Sequence, residues 1–195
     1  MKLCSKKMLK AHLMPFSANV IDIASDINLV AFDKTGTITT GKRELEQIIP
    51  YLEVPEGDLI SALYLASFSD ETSEGESIAS FLKAKYSKII SMIDISGCKV
   101  IPFNSSDKFS GCIHNGDDIK KGAIDSIEKI VEKENIHIDE KFHASLISFS
   151  QKGTTPIIVI KNNKVLGACI LKDELKEGVK FRISKLKSMG IKTIL

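Results

Sequence analysis

Ile27-Asn28-Leu29-Val30-Ala31-Phe32-Asp33-Lys34-Thr35-Gly36-Thr37-Ile38-Thr39 passes from an apolar run into a polar, glycine-bearing loop. The continuous apolar part predicts a strand buried on both faces, as in a parallel sheet. Asp33 then stands at the carboxyl end of that strand, where α/β folds place their chemistry. A carboxylate there can act as a nucleophile and carry a phosphoryl group. Lys34 supplies positive charge, and Gly36 lets the backbone come close to phosphate oxygens.

On the amino-terminal side, Val20 to Ala24 predicts a short, mildly amphipathic helix packing on the strand after it. Met1 to Lys10 mixes lysines with apolar residues without the pattern of a signal peptide. Downstream, Ile38 to Gly41 reads as a short extended link and Glu44 to Leu52 as a strand and its exit. Leu59 to Ser69 comes next as a helix with Asp58 as its N-cap. A polar loop, Asp70 to Glu76, opens a second helix through Ile78, Phe81, Leu82 and Lys85. Cys98 to Asn104 and Phe109 to His114 read as strands, and Asn115-Gly116 is a hairpin turn signal. Lys121-Gly122 leads into a helix from Ala123 to Glu134, and His143 to Gln151 reads as the end of another, stopped by Gly153. Pro156 to Lys161 and Lys164 to Leu171 form a hairpin around Asn162-Asn163, Asp173 to Met189 reads as a charged amphipathic helix, and Lys192 to Leu195 starts a strand.

The composition of the 195 residues, 43% hydrophobic and 27% charged, is that of a globular domain able to bury a core. A net charge of +2 with no Trp and no basic stripe gives no argument for nucleic acid or anionic lipid. The apolar runs, such as Ile157 to Ile160, are too short to span a bilayer. Cys4, Cys98, Cys112 and Cys169 form no C-x-x-C pair and read as free thiols, as in a reducing cytoplasm. His114, His137 and His143 are scattered, without ligand spacing.

The string Asp33 to Thr39 resembles the phosphorylation motif of P-type ATPases. In haloacid-dehalogenase-type phosphatases the Thr35 position is commonly an Asp acting as general acid/base; Thr there implies slower attack of water on an aspartyl phosphate. Asp70-Glu71-Thr72-Ser73-Glu74-Gly75 resembles a loop of the nucleotide-binding domain in the ATP-hydrolysing B subunit of the potassium-importing, Kdp-type branch, with Ser73 where Pro is usual. Ile101-Pro102-Phe103 to Ser110-Gly111 resembles the adenine-holding segment of that subunit, with Lys108 in place of the usual Arg. Lys120-Lys121-Gly122-Ala123 resembles the Lys-Gly motif of P-type nucleotide domains. Leu171-Lys172-Asp173 with Lys176-Glu177-Gly178 resembles the return into the phosphorylation domain. The His-Pro pair of heavy-metal pumps is absent. The resemblance runs from about Ala18 to Leu195.

The resemblance implies an α/β chain: a nucleotide-binding domain at 42–171 with a mainly antiparallel sheet and flanking helices. It is inserted into an incomplete, haloacid-dehalogenase-like, doubly wound phosphorylation domain, 1–41 and 172–195. It implies Asp33 as phospho-acceptor beside Lys34 and Thr35, with Asp33 and Thr35 at magnesium, and Asp70, Glu74, Phe103, Lys108, Ser110, Lys121 and Gly122 around ATP. Phe103 can stack on adenine, Lys121 can lie over the purine or reach phosphate oxygens, and Asp70 and Glu74 can accept from adenine or ribose. As residue types alone, Phe103 also fits a core, Lys121 a solvated surface, and Asp70 and Glu74 the capping of a helix. The strands at 27–33 and 191–195 are expected to pair in parallel and to leave apolar edges uncovered, with marginal stability or self-association.

The family's transmembrane helices, actuator loop Thr-Gly-Glu, Thr-Gly-Asp segment and Gly-Asp-x-x-x-Asp magnesium motif do not occur in these residues. The resulting expectation is a truncated unit of a potassium pump, cytoplasmic as it stands, that binds ATP without turnover. In the intact pump this part faces the cytoplasm and works with a channel-like potassium-binding subunit. The competing expectations are a non-catalytic nucleotide-binding remnant and a soluble phosphatase of the same superfamily, the latter disfavoured by Thr35.

Overall fold

The computed structural model describes Met14, Phe16, Ser17 and residues 19–195; Cys4 and the stretch Met1 to Lys10 lie outside the described residues. The described residues divide into two compact units, one of residues 40–174 and one formed by the chain before Thr40 together with Leu175–Leu195.

In the larger unit six strands form one sheet: β2 (Thr39–Pro50), β3 (Lys99–Ile101), β4 (Phe109–His114), β5 (Asp117–Ala123), β6 (Thr155–Lys161) and β7 (Lys164–Leu175), in the order β2-β7-β6-β5-β4-β3. Every pairing from β3 to β7 is antiparallel. The hairpin turns fall where expected, with Asn115, Gly116, Asn162 and Asn163 all at positive φ, which suits the twist of paired strands.

Alternation along β6 and β7 explains the layers. Ile157, Val159, Cys169 and Leu171 point to one face, where α2 (Glu56–Leu65) and α3 (Ser73–Lys85) bury Leu59, Leu63, Ile78 and Leu82, with α4 (Ser87–Ile90) beside them. Ile158, Ile160, Ala168 and Ile170 point to the other, covered by Ile127 of α5 (Ile124–Lys133) and Leu146 of α6 (Glu140–Gln151). The unbroken apolar run of β6 is therefore the signature of a strand covered on both sides. Each such Leu, Ile or Val side chain contributes about 1.5–3 kcal/mol by burial.

The sequence expectations shift in four places here. The first helix starts at Glu56, so Asp58 lies in its first turn instead of capping it. The second begins at Ser73, capped by Thr72 Oγ1, which accepts from the Gly75 N–H at 3.0 Å; Glu74 thus belongs to the first turn and Asp70 precedes the cap. Of the link at 38–41, Thr39 to Gly41 are already strand, because β2 runs unbroken from Thr39, and Ile38 ends the turn before it. β7 continues to Leu175, and Gly178 at φ 76 breaks the chain before α7 (Val179–Ser188), which is shorter than the expected helix.

In the smaller unit α1 (Asn19–Ser25) precedes β1 (Leu29–Ala31), which pairs in parallel with β8 (Lys192–Ile194), Leu29 opposite Lys192 and Ala31 opposite Ile194. The parallel pairing is as expected; burial is not. Leu29 is 46% exposed, and α7 buries none of its residues. β1 has β8 as its hydrogen-bonded neighbour in a two-stranded sheet, so its faces stay open. The short helix α1 forms, yet Val20 and Ile23 are exposed instead of packing on β1.

Candidate functional site

A groove of about 380 Å³ in the larger unit is lined by the start of α3, the segment before β4, and the inner residues of β4, β5 and β6. It brings together Asp70, Glu74, Phe103, Lys108, Ser110, Lys121 and Gly122, the whole set of expected binding residues. Its volume is in the range of small-ligand clefts, roughly 300–1,000 Å³.

At its floor Ser110 and Lys121 sit opposite one another on β4 and β5. Lys121 Nζ donates to Ser110 Oγ at 2.9 Å and to Asp70 Oδ2, and Ser110 Oγ donates to the same Asp70 oxygen at 2.7 Å. The Thr72 N–H donates to Asp70 Oδ1 at 3.0 Å. Asp70, Ser110 and Lys121 are all buried, Lys121 being only 4% exposed. Burial pushes the Asp70 carboxyl up, but the Lys121 ammonium and the hydrogen bonds from Lys121, Ser110 and Thr72 outweigh it and hold the group below its ordinary value. The surface placement open to Lys121 in the sequence is therefore excluded. Its charge is matched by Asp70 at the groove floor.

Glycines permit this approach. A Cβ on Gly75 would lie 2.5 Å from the Asp70 Cβ and Cγ, so α3 can close on Asp70 only without a side chain there. At Gly122 a Cβ would meet the Lys108 carbonyl oxygen at 3.0 Å.

Phe103 is 48% exposed and belongs to neither core cluster, which removes the core alternative. It stands on the exposed 102–108 stretch, shaped by Asn104, whose Oδ1 accepts from the Ser106 N–H at 2.9 Å and whose carbonyl accepts from the Lys108 N–H at 2.6 Å. Lys108 holds a positive φ of 53°. Arg43 enters the same groove from β2, donating to Glu74 Oε1 at 2.8 Å and to Asp173 Oδ1 at 3.3 Å. Arg43, Thr72, Ser105 and Thr155 were not foreseen as lining residues. Arg43 carried a faint signal, a lone guanidinium beside the phosphorylation-motif stretch; its partners are far away in sequence.

Asp33, Lys34 and Thr35 lie in the smaller unit, all exposed. Asp33 Oδ1 accepts from the Lys34 N–H at 2.8 Å. The loop closes on itself: Thr39 Oγ1 donates to the Lys34 carbonyl and accepts from the Gly36 N–H, each at 3.3 Å, and Gly36 takes φ 76. Lys176 clamps it from outside, its N–H on the Ile38 carbonyl at 3.0 Å and its Nζ on the Gly36 carbonyl. Among the described residues no group of three or more His, Cys, Asp or Glu is placed to hold a metal ion. One exposed carboxylate suits magnesium that arrives with phosphates and water, and does not suit a standing metal centre. No helix among the described residues is long and apolar enough to cross a membrane.

A family model described as haloacid dehalogenase-like hydrolase matches residues 27–195. The potassium-transporting ATPase ATP-binding subunit of Clostridium botulinum (strain Eklund 17B / Type B) is 37% identical over 189 residues, 97% of this chain and 28% of that protein. The subunit of the same name from Enterococcus faecalis (strain ATCC 700802 / V583) is 35% identical over the same shares of both chains. The chain thus spans 28% of the length of these relatives. The crystal structure of a zinc-transporting PIB-type ATPase superposes with a TM-score of 0.62 at 22% identity, over 86% of this chain and 25% of that one. The catalytic domain of the CPx-ATPase CopB-B superposes with a TM-score of 0.59 at 17% identity, over 96% of this chain and 61% of that one. These last two are likenesses of fold.

Proposed function

The chain belongs to the haloacid dehalogenase-like hydrolase family, and from that premise we propose that it is the ATP-binding and aspartyl-phosphorylation portion of a potassium-transporting P-type ATPase. The groove supports this reading most strongly: an exposed aromatic ring, a basic rim and a rigid polar floor converge in one cleft. Phe103 offers its face to adenine. Lys108 brings positive charge to the rim. The Asp70–Ser110–Lys121 network holds β4, β5 and the start of α3 in place, and Gly122 lets β5 lie close against the Lys108 carbonyl at the groove wall.

Asp33 is the acceptor. Its carboxylate oxygen bonds to the γ-phosphorus as the bond to the β-phosphate bridging oxygen breaks, and ADP leaves with that electron pair. Lys34 favours the negative charge that gathers there. Asp33 and Thr35 would hold magnesium, which when bound screens the phosphate oxygens during transfer. In the intact pump the channel-like subunit would take potassium. Alone, the chain binds ATP without sustained turnover, since among the described residues no group of three or more acids gathers at the exposed acceptor carboxylate to carry a metal through a full cycle.

Calorimetric titration of the purified chain with ATP tests this. The expected result is saturable binding that Phe103→Ala weakens about 10–100-fold, the loss of one base-stacking contact of roughly 1–3 kcal/mol. A folded chain that does not bind ATP overturns the reading. Sustained magnesium-dependent hydrolysis abolished by Asp33→Asn overturns the claim of binding without turnover. Hydrolysis of a small phosphomonoester would make the chain a phosphatase.

A further inference from the structure

Asp33 is held by its own loop, and that loop is held from outside by a residue far along the chain. The Asp33 Oδ1 accepts from the Lys34 N–H at 2.8 Å, so the direction of the carboxylate follows the Lys34 peptide. The Lys34 carbonyl in turn accepts from the Thr39 N–H and from Thr39 Oγ1, and that hydroxyl also accepts from the Gly36 N–H. Thr39 is 1% exposed and anchors the far end of the turn. Gly36 is its weak point. A φ of 76 is open to glycine at little cost, and a Cβ there would meet nothing within 4 Å, so no packing fixes the residue.

The restraint comes from Lys176. Its Nζ donates to the Gly36 carbonyl, and its backbone N–H donates to the Ile38 carbonyl at 3.0 Å. Both backbone polar groups of Gly36 are thereby held by side chains, Thr39 on the N–H and Lys176 on the carbonyl. The placement of Lys176 follows from the chain around it. β7 ends at Leu175, and Gly178 at φ 76 turns the chain into α7 directly afterwards, which leaves the Lys176 side chain to reach back along the loop.

We infer that Lys176 is a positioning residue for the phosphoryl acceptor. It fixes the Gly36 peptide and, through the Thr39 turn and Lys34, the direction of the Asp33 carboxylate. The inference rests on the reading of Asp33 as acceptor. An ammonium on a carbonyl is a charge-assisted contact, stronger than a neutral hydrogen bond. A loop restrained in this way meets a phosphoryl group in one geometry instead of several, so its ordering precedes transfer instead of accompanying it.

The test uses the full chain and two readouts. The first is the amide spectrum of residues 33–39 by nuclear magnetic resonance, in which the Lys34 N–H reports its bond to Asp33. The second is uptake of beryllofluoride with magnesium, a phosphoryl mimic, read by fluorine resonance against an Asp33→Asn reference. Lys176→Met is expected to move the Lys34 and Gly36 amides and to weaken uptake about 10-fold, the scale of one hydrogen bond to a charged group. Lys176→Arg keeps the charge and the donors and is expected to restore both. Lys180→Met removes the same charge from an exposed residue of α7 and is expected to change neither. If Lys176→Met loses the β1–β8 pairing altogether, Lys176→Gln carries the comparison, with the same shifts expected in smaller degree. Unmoved amides or undiminished uptake in Lys176→Met, or a loss that Lys176→Arg does not restore, would overturn the inference. A wild-type chain that takes up no beryllofluoride overturns the acceptor reading itself, and this inference with it.

Discussion

The two units use the same kinds of residue to different effect. In the 40–174 unit, Leu59, Leu63, Ile78 and Leu82 are fully buried, and the sheet is covered on both faces. In the other unit Thr39 is the sole buried residue among those described, while Phe181 is 73% exposed and Ile194 and Leu195 also face outward. Both units hold apolar strands and a helix with apolar residues. What separates them is the number of layers: a sheet between two helical layers removes its side chains from water, whereas a strand pair beside one helix does not.

That contrast can be broken at its strongest point. Lys121→Met leaves the Asp70 carboxylate buried without its cation, and is expected to destabilise the larger unit by about 3–5 kcal/mol in denaturant unfolding. A loss under about 1 kcal/mol would mean that water reaches Asp70 and the floor is less closed than its burial indicates. Gly75→Ala comes next. At an ordinary helix position this change stabilises by roughly 0.5–1 kcal/mol. Here the added Cβ meets Asp70 at 2.5 Å, so the sign reverses, with a loss of about 1–3 kcal/mol expected.

The pH profile sharpens the comparison further. The Asp70 carboxyl lies below its unfolded value of 3.8. It therefore contributes stability that is fully present above that value and is lost as the pH falls through the folded value. Acid titration monitored by circular dichroism is expected to show this loss in the wild-type larger unit. In Lys121→Met burial dominates at Asp70, and acidification should instead recover part of the lost stability. The smallest effect belongs to the exposed unit: Phe181→Ser is expected to shift stability by no more than about 0.5 kcal/mol. A loss near about 2 kcal/mol, the scale of a buried ring, would show that Phe181 is covered in solution, and would count in favour of self-association.

Much of this was legible in the chain itself. The Asn-Gly and Asn-Asn turns located two hairpins because these residue types accept positive φ. The binding residues could be named because Asp70, Phe103 and Lys121 each lie in a recognisable local string. Their company could not: Lys121 reads as a reaching cation, and only the β4–β5 register with the entry of α3 shows that Asp70 neutralises it. Arg43 was missed for the same reason, since Glu74 and Asp173 become its partners only after folding. The charged run from Asp173 onward reads as one long helix. Strand pairing claims its first residues, and Gly178 resets the backbone before the helix can start.

β2 and β7 are neighbours in the sheet, and each is twelve residues long. They hold both ends of the 40–174 unit side by side, with Thr40 Oγ1 donating to Glu174 Oε2 at 2.8 Å. A module whose entrance and exit touch behaves as a cassette. It can be grafted onto another host through a short linker, or closed into a ring and reopened at the exposed Asn162-Asn163 turn as a circular permutant, with the sheet order unchanged.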